Sequence, residues 1–89
     1  MSKSENVTIE HNLGLHLRAA GALVQLAARY QSKLSIRYGG LTANGKSIMS
    51  VLSLAAPCGA ELDISAEGKD ADEAVESIVE LIRQNFGIE

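Results

Sequence analysis

His16 and Arg18, within Gly14-Leu15-His16-Leu17-Arg18-Ala19-Ala20, are the residues whose types and spacing best suit chemistry. The histidine stands where a strand-like segment gives way to an Ala-rich helical one. The first turn of a helix carries backbone N–H groups without intrahelical partners and the positive end of the macrodipole, so an anion there is stabilised before any side chain helps. An imidazole at that junction is disfavoured as imidazolium and is therefore a neutral nucleophile, able to hand such a site a phosphoryl group. Arg18 adds a permanent cation with forked donors that match phosphate oxygens. Two residues are not a motif, and on spacing alone His16 as an exposed cap and Arg18 as a solvated surface charge remain an open alternative.

A second place for chemistry is Gly45-Lys46-Ser47-Ile48-Met49. Asn44-Gly45 forms a turn, and Ser47 is an N-cap candidate for a short helix running to about Leu54. Ile48 and Leu52, four apart, share a face with Met49 nearby, while Val51, Leu54 and Ala55 occupy the other side. So short a helix cannot bury both faces against one sheet. Val51 and Leu54 are assigned to the core, and Ile48, Met49 and Leu52 to an exposed apolar docking patch, where Met suits a surface that accepts several partners in turn.

These two motifs, in this order, resemble the HPr family, the histidine-containing phosphocarriers of the bacterial phosphotransferase system. The resemblance covers essentially the whole chain. It departs at Leu17, where the family usually has Ala, and at Ala19, where it usually has Pro. The resemblance implies an α+β open-faced β-sandwich, with a four-stranded antiparallel sheet of order 1-4-2-3 and three helices on one face. It implies a carrier rather than an enzyme. His16 would take the phosphoryl group on Nδ1 from enzyme I, itself charged by phosphoenolpyruvate, and pass it to the A units of sugar permeases or to a regulatory acceptor, with Arg18 steadying the phosphate. Docking would run through Leu17, Ile48, Met49 and Leu52. Ser47 matches the serine that a dedicated kinase phosphorylates in many members, with a phosphorylase to reverse it. Such a phosphate would add about −1.5 to −2 charges beside the patch. Two other readings stand beside this one: a regulatory phosphocarrier of the nitrogen-related branch, and a protein-binding module that uses the apolar patch without being phosphorylated.

Composition narrows the choice. A chain of 89 residues with 46% hydrophobic content is expected to be one compact domain, 1–89, too small for a large buried active-site cavity. A single cysteine, Cys58, excludes an intramolecular disulfide and any multi-cysteine metal site, and within Pro57-Cys58-Gly59 it reads as a small buried turn residue. His11 and His16, with no nearby Cys or Asp, fall short of the ligands a structural zinc needs, so no metal or cofactor is expected. His11 is expected to be dispensable. Without a signal segment or a long apolar run the chain reads as cytoplasmic, with no direct membrane binding and as a monomer.

Charge is unevenly spread. Residues 1–50 hold six Lys and Arg against two acids, whereas residues 51–89 hold two against nine. The motif therefore lies in a basic half, which favours docking to an acidic partner surface. Nucleic-acid binding is not expected, because the pI is about 5.3 and the only aromatics are Tyr30, Tyr38 and Phe86.

The elements that must position these residues follow from periodicity. Alternation predicts strands over Glu5–Glu10 (Val7 and Ile9 inward), Lys33–Tyr38 (Leu34, Ile36 and Tyr38 inward) and Glu61–Glu67 (Leu62, Ile64 and Ala66 inward), with a short strand at Leu41–Ala43 after the Gly39-Gly40 turn. An amphipathic helix is predicted over Leu17–Gln31, with Ala20, Leu23, Val24, Ala27 and Tyr30 inward. Asp70 and Glu73 approximate a capping box opening a last helix with Ala71, Ala74, Val75, Ile78, Leu81 and Ile82 inward. Lys33 and Arg37 would complement Glu61 and Asp63 if the second and fourth strands are neighbours.

Overall fold

The computed structural model describes residues 1–88. The elements run β1 (Ser2–Thr8), α1 (Leu17–Ala27), β2 (Lys33–Tyr38), β3 (Leu41–Asn44), α2 (Ile48–Leu52), β4 (Glu61–Glu67) and α3 (Ala71–Arg83), followed by a 3-10 turn at Asn85–Gly87. The strands form one antiparallel sheet in the order β1-β4-β2-β3. Three helices cover one face and leave the other to solvent, the expected open-faced α+β sandwich. No helix is long and apolar enough to cross a membrane.

Alternation along the strands accounts for the two layers. Val7, Leu34, Ile36, Ala43, Leu62, Ile64 and Ala66 are buried under the helices, while their neighbours in sequence are exposed or half-buried. Ile36 and Ile64 face one another across β2 and β4, and both are fully buried. Replacing either with Ala would cost about 2–5 kcal/mol. Leu23 of α1, Val51 of α2 and Val75, Ile78 and Ile82 of α3 complete the core from the helical side.

Several expectations shift. β1 starts at Ser2 because all seven of its residues pair with β4, although Lys3 and Glu5 give its inner face no hydrophobic signal. Ile9 lies past the assigned end of the strand, yet its backbone still bonds to Gly59 and Ala60. α1 ends at Ala27 rather than Gln31: the amides of Arg29 and Tyr30 turn back to Leu26 and Ala27, tightening the last turn, and the Lys46 ammonium donates to the Tyr30 carbonyl at 2.6 Å. α2 stops at Leu52. Ala55, placed on the same side of the helix as Val51 and Leu54, lies beyond its end and is exposed at φ +50°. Lys33 lies opposite Glu67, not Glu61, although Arg37 does lie opposite Asp63. The hydrogen bond to the Asp63 carboxylate comes from Asn6 of β1, at 2.9 Å.

Asp70 is the N-cap residue of α3, its carbonyl accepting the Ala74 amide at 2.9 Å, but its side chain makes no capping bond. Its carboxylate reaches across the molecule, accepting from the amides of Gln31 and Ser32, each at 2.9 Å, and from the Ser32 hydroxyl. These bonds, the serine hydroxyl foremost, hold the carboxyl below its usual range. The loop after α1 is thereby tied to the start of α3.

Candidate functional site

His16 is the N-cap of α1, in extended conformation, with its carbonyl accepting from the Ala20 amide at 2.8 Å. The chain reaches it through a tight turn. His11 accepts the Gly14 amide on its carbonyl at 2.9 Å and the Leu13 amide on its ring Nδ1 at 3.1 Å. Gly14 then adopts φ +65°, where a Cβ would come within 2.5 Å of the Ala56 oxygen, so only glycine fits. Leu15 is buried and donates its amide to that same oxygen at 2.9 Å. The approach to His16 is thus pinned on both sides before the helix begins.

Among the described residues, the first-turn amides of Leu17, Arg18 and Ala19 have no hydrogen-bond acceptor. That leaves a set of donors at the positive end of α1. Arg18 is exposed on the same turn, and its guanidinium makes no ion pair among the described residues. The His16 side chain is half-buried. Its Nε2 is enclosed and finds no partner among the described residues. Burial above all, then the neighbouring charges of His11 and Arg18, lower its pKa below the ordinary imidazole value. At neutral pH the ring is therefore uncharged, the form a nucleophile needs.

His11 was expected to be a bystander, yet its ring packs on that of His16, with centroids 4.9 Å apart and planes tilted by 49°. Only its identity and its place five residues upstream were visible beforehand. Leu13, in the same turn, is 70% exposed and extends the apolar surface beyond the residues expected there.

α2 packs beside α1 and carries the second motif. Ser47 caps it, its hydroxyl accepting the Ser50 amide at 3.3 Å. Leu17 and Met49 are 64% and 75% exposed, Ile48 is 38% exposed, and Leu52 is half-buried against the core rather than fully open. Val51 and Leu54 are buried as expected. Cys58 is not: it is exposed, its thiol donating to the Glu10 carbonyl at 3.6 Å, because the turn it occupies lies on the surface. No cluster of three or more His, Cys, Asp or Glu able to hold a metal occurs among the described residues.

Comparison with known proteins gives one result throughout. The PTS-HPr family, described as "PTS HPr component phosphorylation site", matches residues 3–84. The chain is 43% identical to the phosphocarrier protein HPr of Pseudomonas aeruginosa, over 90% of each chain, and 38% identical to that of Cupriavidus necator, over 92% of each. Its backbone superposes on HPr-C-His from Thermoanaerobacter tengcongensis with a TM-score of 0.92, at 37% identity over 98% of both chains. For the phosphocarrier protein HPr from Bacillus anthracis the TM-score is 0.87, at 36% identity over 91% of this chain and 96% of that one. Sheet order, site and sequence agree: the chain belongs to the HPr family of phosphocarrier proteins of the phosphotransferase system, which carry a phosphoryl group rather than catalyse a reaction.

Proposed function

We propose that Nδ1 of His16 accepts a phosphoryl group from enzyme I, charged by phosphoenolpyruvate, and passes it to the A units of sugar permeases. The observation that carries this reading is the inward turn of Nε2 at the N-cap of a helix whose first-turn amides are free. The neutral Nδ1 lone pair attacks phosphorus as the bond from phosphorus to the donor group of enzyme I breaks and that group leaves with the bonding pair. The first-turn amides and the Arg18 guanidinium then hold the equatorial oxygens. Phosphoryl transfer asks the protein mainly for position and electrostatics, so a shallow site completed by the partner is sufficient. Leu17, Ile48 and Met49, with the half-buried Leu52 at their margin, form the apolar surface on which each partner docks in turn. Ser47 is the regulatory position: phosphate there keeps the helix end but sets negative charge beside that surface. The carrier works as a cytoplasmic monomer.

Incubation with phosphoenolpyruvate and enzyme I, followed by mass spectrometry under mildly alkaline conditions, tests the assignment. One acid-labile phosphoryl group is expected on the wild type and on His11→Ala, and none on His16→Ala. Label on His16→Ala would sink it. No uptake by the wild type would favour the unphosphorylated binding module. The departures at Leu17 and Ala19 keep a second reading open, a regulatory carrier of the nitrogen-related branch with the same His16 chemistry. Pull-down with the cell's own acceptors separates the two, since the second predicts that no sugar-permease A unit is retained.

A further inference from the structure

His11 is buried, leaving only 9% of its surface exposed, yet nothing in the phosphoryl chemistry above uses it. Its position is tightly defined. Nδ1 accepts the Leu13 amide, so the lone pair is on Nδ1 and the proton of the neutral ring is on Nε2. The carbonyl accepts the Gly14 amide, closing the turn from the backbone side as well. With both ends engaged, the ring has no freedom to swing away, and it is the flat surface against which the His16 imidazole is tilted.

We propose that His11 is a positioning residue for His16: its ring, locked by the Leu13 amide, holds the His16 imidazole with Nε2 inward and Nδ1 outward. The proposal rests on His16 being the phosphoryl site, but the orientation it assigns exists before any phosphate arrives. An imidazole half-buried at a helix end has two orientations related by a flip, and only one presents Nδ1. A neighbouring ring 4.9 Å away restricts that choice sterically. After burial, the proximity of His11 is the next cause that lowers the His16 pKa. Other charged and titratable groups stand close by: Arg18 on the first turn of α1, Glu10 beside His11 in the chain, and the Cys58 thiol on the Glu10 carbonyl. Asn85, which shares a surface pocket with Glu10 and His11, is uncharged.

The two roles of His11, as turn acceptor and as ring, can be separated. In His11→Asn the side-chain oxygen still accepts the amide two residues on, as Asn does in turns generally, but the ring is gone. His11→Phe keeps a ring and loses the acceptor. Nitrogen-detected NMR of the His16 ring across pH reads tautomer and titration midpoint directly in the unphosphorylated protein. The wild type should hold the Nε2-protonated tautomer. In His11→Asn that preference should weaken, and the midpoint should rise toward the ordinary imidazole value. The acid limb of the transfer rate should move upward with it, and the rate above that limb should fall as fewer rings present an unprotonated Nδ1. His11→Phe should retain the tautomer. If both variants leave the tautomer and midpoint of His16 at their wild-type values, His11 is only a turn residue and the proposal is overturned. A wild type that takes up no phosphate, yet shows these shifts, would overturn the phosphocarrier chemistry and leave the positioning role standing.

Discussion

The Leu15 amide donates to the Ala56 carbonyl at 2.9 Å, and the backbone of Gly14 lies against that same oxygen. The residue before His16 is therefore bonded to the segment that follows α2. The loop presenting His16 is thereby held against the segment that follows the helix presenting the apolar patch.

Gly14→Ala tests that coupling. The methyl group would meet the Ala56 oxygen, and the left-handed backbone alone costs an L-residue about 1–2 kcal/mol. With the clash added, a loss of roughly 2–4 kcal/mol is expected in denaturant unfolding. Phosphoryl uptake should fall in the part of the population that stays folded, because the turn carrying His16 is displaced. Unchanged stability would mean that the turn relaxes without cost.

Much of this arrangement was legible in the chain. The strand alternation gave β2 and β4 to the residue, and the junction at His16 gave the N-cap, because both depend on local period and local capping. What stayed hidden depends on distant partners. The start of β1 is set by pairing with β4, not by its own polar sequence. The Asp70 side chain resembles a cap, but the amides of Gln31 and Ser32 come to it from another loop. The contact of His11 with His16 arises from a turn closed by an imidazole in the place where an Asn or Asp is the usual acceptor.

Arg18→Ala is expected to leave the fold intact, since the side chain is exposed and unpaired among the described residues. Removing a charged hydrogen bond of about 1.5–3 kcal/mol from the transferring phosphoryl group should slow transfer by roughly 10–100-fold. Arg18→Lys should recover part of the rate, because the charge survives and the planar fork does not. Stopped transfer assays with enzyme I decide it, and unaltered kinetics in Arg18→Ala would remove Arg18 from the mechanism.

Ser47→Asp separates stability from docking. Asp is as good an N-cap as Ser, so the melting temperature should change by little, while Ser47→Ala should lose about 0.5–1 kcal/mol, near the low end for a 3.3 Å cap bond. Affinity for enzyme I should fall for Ser47→Asp at low salt and return toward wild type as salt screens the added charge. Equal affinity for Ser47→Asp and wild type at low salt would exclude charge control at this position.

Asp70 predicts an acid-sensitive tie. Its carboxyl is held below the usual carboxylate range in the folded protein, so its contribution is complete above that range and is lost as pH falls through the lowered value. Asp70→Asn removes the titrating group. The gap in melting temperature between wild type and Asp70→Asn should therefore be largest near neutrality and close in strong acid. A gap that does not depend on pH would show that the loop is held by other bonds.

Ala19 stands where the family resemblance implies a proline. With His16 as N-cap it occupies the third helical position, and its amide has no acceptor among the described residues, so a proline there breaks no hydrogen bond. The site is fully buried, and the ring carbons must be fitted into the core beside Leu23. That packing cost opposes a gain of roughly 0.4–1 kcal/mol from a stiffer unfolded chain. Ala19→Pro is expected to fall within about 1 kcal/mol of wild type and to keep His16 phosphorylatable. Thermal melts of both proteins, with and without phosphate on His16, give the sharper comparison. A loss confined to the phosphorylated form would identify the Ala19 amide as one of the donors that hold the phosphoryl oxygens, whereas equal shifts in both forms would assign the effect to packing alone.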